Sequence, residues 1–72
     1  MKIKELISNN TFEFNVDFRV YNYIPSANSS EEGEMVLKYD SRWSFDIKPS
    51  ILEEDITAIN QSSKGIVEIE YI

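Results

Sequence analysis

Apolar and polar residues alternate most strictly between residues 11 and 24, TFEFNVDFRVYNYI. Phe12, Phe14, Val16, Phe18, Val20 and Ile24 take even positions, and Glu13, Asn15, Asp17, Arg19, Tyr21 and Tyr23 take odd ones. A period of two in aromatic and β-branched residues predicts a strand with one buried face. At ~3.3 Å per residue this stretch would run roughly 46 Å, whereas a domain of this length is about 30 Å across. The strand must therefore bend, overhang the domain or pair with another chain. Its regular part is expected over 11–21, with the bend at Asn22, the polar residue on the apolar face.

Ahead of it, KIKELIS over 2–8 sets Ile3, Leu6 and Ile7 at helical spacing and predicts a short helix that needs a docking surface to persist. PSANSSEEG, 25–33, has no periodicity and is expected to be a mobile loop. EMVLKYD alternates Met35, Leu37 and Tyr39 against charged positions and Val36, and SRWSFDIK alternates Trp43, Phe45 and Ile47 against Arg42, Ser44, Asp46 and Lys48. With a turn at Asp40-Ser41-Arg42 these two predict a β-hairpin. Pro49 stops the third strand. Ser50 and Glu53 form the spacing of a capping box, and Ile51, Leu52, Asp55, Ile56 and Ile59 continue a helical stripe, apolar except at Asp55, which predicts a helix from 50 to about 59. The β-branched content of DITAIN leaves a strand over 55–60 as the alternative. QSSKG is a turn, and IVEIEYI closes as a strand with Val67, Ile69 and Tyr71 inward and Glu68 and Glu70 outward.

The expected architecture is α+β: a single domain spanning 1–72, with a small, mainly antiparallel sheet of about four strands in the order α-β-β-β-α-β and two short helices on one face. The expected core is Phe12, Phe14, Val16, Phe18, Val20, Leu37, Trp43, Phe45, Ile47, Val67 and Ile69, with Leu6, Ile7, Leu52 and Ile56 from the helices.

Composition narrows the chemistry. The chain has 72 residues, no cysteine and no histidine. Disulfides, thiolate metal sites, and Ser-His or Cys-His catalysis are excluded. The only glycines, Gly33 and Gly65, fall in turns, so no phosphate-cradling loop is present. Glu31, Glu32, Glu34 and Asp40 do not follow the spacing of a calcium loop. No enzyme, no cofactor and no metal site is expected. Thirteen acids against seven bases give a net charge of −6, which disfavours direct binding to nucleic acid. Neither a membrane-spanning run nor a signal-peptide core is visible, and the expected location is the cytoplasm. There, the sequons at Asn9, Asn28 and Asn60 carry no meaning.

The remaining chemistry lies on the polar side of the strands. Tyr21 and Tyr23 stand beside Arg19, and tyrosine and arginine are enriched where proteins bind each other. Glu13, Asp17, Glu68 and Glu70 supply acids on the same outward faces. These seven residues are the candidate protein-binding set. The expected function is a non-catalytic protein-binding module, in one form an acidic nucleic-acid mimic. The alternative is a self-assembling protein, a homodimer through 11–24.

Phe, Tyr, Met, Ile, Asn and Lys number 31 and Gly, Ala, Arg and Pro only 8, the usage of an A/T-rich genome. The opening MKIKELI, the long aromatic strand and the closing IVEIEYI resemble small uncharacterised acidic proteins of phages and mobile elements in low-GC bacteria. Over its first seven residues the chain is also similar to some acidic anti-CRISPR proteins. The resemblance implies an accessory or inhibitory role toward a protein partner and assigns no functional residue.

Overall fold

A computed structural model describes residues 1–8, 17–28, 30–62 and 64–72. The elements are α1 (Ile3–Ser8), β1 (Phe18–Ile24), β2 (Glu34–Asp40), α2 (Pro49–Leu52), β3 (Ile56–Gln61) and β4 (Val67–Tyr71). The four strands form one mixed sheet in the order β2-β1-β4-β3. β1 runs antiparallel to β2 and parallel to β4, and β3 runs antiparallel to β4. The fold is α+β with two short helices, as the alternation indicates.

One face of the sheet is buried. Val20 and Ile69, paired across β1 and β4, are fully enclosed. Ile3 and Leu6 of α1, Ile51 of α2, Tyr39 and Tyr71 complete the cluster, and Ile7, Phe18, Ile47, Leu52, Ile56 and Val67 pack around it. Neither helix is long enough to stand alone. They are held instead by burial, by Ile3 N–H donating to the Glu54 carbonyl at 3.0 Å, and by Lys2 and Lys4 both reaching the Glu53 carboxylate, at 2.9 and 2.7 Å.

The order of elements differs from the expected one in three places. Residues 41–48 form no strand. The Asp40 carboxylate accepts the Arg42 backbone N–H at 3.0 Å, and the Asp40 carbonyl accepts the Trp43 N–H at 2.9 Å. This aspartate-led turn folds the chain back before a strand can start. Residues 56–61 are a strand and not the end of a helix. Ile56, Thr57 and Ile59 lose side-chain freedom in a helix, and as β3 they gain a ladder to β4 with Ile59 beside Ile69. The helix stops at Leu52, and the capping box is absent: Lys48 is the N-cap and makes no side-chain cap bond, Ser50 lies inside the helix, and Glu53 is bound to the lysines.

The third departure is a β-bulge. Val20 pairs with Tyr39 and Tyr21 with Leu37, so Lys38 is an extra residue in β2. An inserted residue moves everything beyond it to the opposite face. Tyr39 points into the core, while Leu37 and Met35 emerge on the far side, 39% and 42% exposed. The expected facing of Leu37 is corrected accordingly, as is that of Trp43 and Phe45, which leave the sheet and are exposed. No bend occurs at Asn22. Its amide donates to the Tyr71 carbonyl at 3.4 Å and β1 continues to Ile24. Phe12, Phe14 and Val16 lie outside the described residues.

Candidate functional site: the outer face of the sheet

The pairing register places the candidate residues relative to one another. On β1, Arg19, Tyr21 and Tyr23 share the face opposite the helices. Arg19 neighbours Asp40 on one side and Glu68 on the other; Tyr21 lies between Leu37 and Glu70; Tyr23 lies beside Met35. On the far strand, Ala58 follows Glu70 and Asn60 follows Glu68. Five of the seven candidates, Arg19, Tyr21, Tyr23, Glu68 and Glu70, are thus brought together on one surface. Asp17 stands apart at the start of β1. It is exposed, its carbonyl accepts the Val67 N–H at 3.0 Å, and its carboxylate accepts the Ser41 hydroxyl at 3.3 Å, a structural tie at the strand's entry. Glu13 lies outside the described residues.

This face is graded in polarity. Its β1–β2 half is apolar and aromatic, with half-buried Tyr21 and Tyr23 flanked by exposed Leu37 and Met35. Its β4 half is acidic, and Glu70 accepts from the Asn60 amide at 3.3 Å. The sequence reading missed Met35 and Leu37. Nothing in EMVLKYD announces a bulge, because Lys38 fits the polar position of an unbroken alternation.

One end of the face is fixed by a charge cluster. Asp40 is 4% exposed and receives Arg19 Nε at 3.1 Å, Arg42 Nε at 3.0 Å and Arg42 Nη2 at 2.7 Å. The Arg42 and Arg19 guanidinium groups hold its carboxyl well below the usual carboxylate range, against the opposing effect of burial. Arg19 in turn is held more firmly protonated by Asp40 first and by the Tyr21 hydroxyl second. Both arginines are paired with Asp40, whereas the β4 acids Glu68 and Glu70 have no cation beside them in the register except Arg19.

Tyr23 is positioned from below. A Cβ at Gly33 would meet the Ile24 carbonyl oxygen and the Tyr23 ring at 2.6 Å, so only glycine lets the loop pass under that ring.

Two other features lie outside this surface. Trp43 and Phe45 lie against each other with tilted planes and centroids 5.3 Å apart, meet the Tyr39 ring edge-on at 5.9 and 6.4 Å, and line a hollow of about 260 Å³. A polar hollow of about 230 Å³ is lined by Lys38, Lys48, Ser50, Ile51, Glu54 and Tyr71. Among the described residues no group of three or more acidic side chains is placed to hold a metal ion, and no helix is long and apolar enough to cross a membrane.

Compared with protein-family models, curated proteins and solved structures, the chain matches none of the three.

Proposed function

We propose that the protein is a non-catalytic binding module that engages a protein partner through the outer face of its sheet. The observation that carries this reading is the uncovered patch of Tyr21, Tyr23, Met35 and Leu37. The helices lie on the opposite face, and on this one Met35 and Leu37 stay 42% and 39% exposed. Large half-exposed apolar and aromatic side chains grouped on a rigid strand surface are the usual makeup of an interface centre. Glu68 and Glu70 form an acidic margin, in a chain of net charge −6, which suits a partner that surrounds an apolar ridge with basic groups. An accessory or inhibitory role in a phage or mobile element, acting in the cytoplasm, fits the composition and the resemblance of the termini. Nucleic-acid mimicry is the weaker form, because the centre of the face is apolar and not a row of acids.

The test is capture from extracts of the source cell by the parent and by a Tyr23→Ser/Leu37→Ser variant whose circular dichroism matches the parent's. A partner retained by the parent and lost by the variant supports the reading. Equal capture by both overturns it.

A further inference from the structure

We propose that β3 is a self-pairing edge, through which two copies of this chain join antiparallel along residues 57–61 into one continuous sheet. The inference concerns a different surface from the outer face and stands independently of the function proposed for that face.

In the order β2-β1-β4-β3 only β2 and β3 have a free side, so β1, placed between β2 and β4, offers none over Phe18–Ile24. Among the described strands, self-association by strand addition therefore has only the two outer ones to use. The β2 edge is guarded in the way natural sheets guard their edges: it carries Glu34, Lys38 and Asp40 and is distorted by the Lys38 bulge. β3 is guarded only at its start, where Lys2 bridges Asp55, the Met1 carbonyl accepts the Ile56 N–H at 2.8 Å and the register to β4 slips by one residue at Thr57. Beyond Ile56 the sequence is Thr57-Ala58-Ile59-Asn60-Gln61, with no charge and no proline, and no described segment pairs with its outer side. In a chain of net charge −6, an uncharged edge is the place where two copies approach with least repulsion.

The stretch is also complementary to itself. Antiparallel pairing centred on Ile59 sets Ile59 opposite its own counterpart, Ala58 opposite Asn60 and Thr57 opposite Gln61. Ile59 is 50% exposed although its neighbour in β4, Ile69, is fully enclosed. A second Ile59 alongside extends that buried layer past the edge of one copy. Paired strands keep their faces, so both sets of helices lie on one side and both outer faces on the other. The assembly then presents two copies of the Tyr21–Leu37 patch in one plane. A five-residue edge buries less than the roughly 1,200 Å² of a standard interface, so association is weak and concentration-dependent.

The native chain has no cysteine, so a single introduced thiol reports the register without interference. Directly opposed residues of an antiparallel pair have Cβ atoms about 4.5–5.5 Å apart, at the edge of disulfide reach. Mild oxidation of Ile59→Cys is expected to give covalent dimer, with far less from Leu37→Cys, an exposed position on β2, the guarded edge. Sedimentation of the parent is expected to shift from monomer to dimer between micromolar and near-millimolar concentration. Ile59→Lys, which sets two ammonium groups face to face, is expected to remain monomeric while still melting cooperatively at a lower temperature. A parent that stays monomeric throughout, equal crosslinking at both cysteine positions, or a dimer that survives Ile59→Lys overturns the assignment. If Ile59→Lys fails to fold, the ratio of the two crosslinks decides.

Discussion

Truncating Ile69 and Leu37 separately to alanine tests the facing that the Lys38 bulge creates. Each change removes the same three side-chain carbons. Ile69 is 0% exposed in the middle of the sheet, between Val20 of β1 and Ile59 of β3. At ~0.8 kcal/mol per buried carbon the transfer loss is about 2.4 kcal/mol, and the cavity left in a sheet held on both sides raises the cost to ~3–4 kcal/mol. Leu37 is 39% exposed and on the outer face, so its loss is about 1 kcal/mol or less. For a domain of 72 residues, total stability is roughly 4–11 kcal/mol, so Ile69→Ala removes a large share of it. Each kcal/mol moves Tm by about 4–8 °C at this size. Thermal melts followed by circular dichroism are thus expected to fall by ~12–30 °C for Ile69→Ala and by less than ~8 °C for Leu37→Ala. Unbroken alternation in EMVLKYD would bury Leu37 beside Tyr39, and its truncation would then cost as much as that of Ile69. Equal losses, or a larger loss at Leu37, would refute the bulge and the outer face built on it.

Glu53 is held down to about 2 by Lys4 and Lys2, from an ordinary 4.5, and Asp40 is lowered by Arg42 and Arg19. Both folded-state values are depressed, so both groups stabilise the fold above their unfolded values and lose that contribution as pH falls. Urea midpoints should hold steady down to about pH 5 and drop below it, and Glu53→Gln/Asp40→Asn should flatten the drop; a drop of unchanged steepness in the double variant would contradict this. Asp40→Asn alone leaves two arginines facing a neutral amide at an enclosed position and is expected to cost about 1–3 kcal/mol at neutral pH, read from the same urea curves. Gly33→Ala drives a methyl against the Ile24 carbonyl and the Tyr23 ring, and an overpacking cost of ~1–3 kcal/mol should appear together with a changed Tyr23 ring environment in NMR. Gly65, at φ +79° in the turn before β4, should lose ~1 kcal/mol on substitution by alanine, measurable as a Tm decrease.

The parts of the fold legible in the sequence are those set by local period. Val20, Val67, Ile69 and Tyr71 face inward as their alternation requires, and Arg19, Tyr21, Tyr23, Glu68 and Glu70 share the outer face because β1 and β4 pair in register. What escaped the pattern depends on competition between neighbours. SRWSFDIK alternates as well as any strand here, yet Asp40 captures the Arg42 amide and turns the chain. ITAINQ has a helical stripe and a β-branched composition at once, and the ladder to β4 settles the choice. The bulge at Lys38 leaves no mark in composition, so the alternation places Leu37 in the core, whereas it lies with Met35 on the outer face.

The central claim is that the helix-free face meets the partner. Chemical-shift mapping of the isotope-labelled protein with the captured partner tests it most directly. The account predicts perturbations concentrated at Arg19, Tyr21, Tyr23, Met35 and Leu37, fading across Glu68 and Glu70 and leaving Ile3, Leu6 and Ile51 unchanged. Perturbations centred on the helices, or on Trp43 and Phe45, would contradict it.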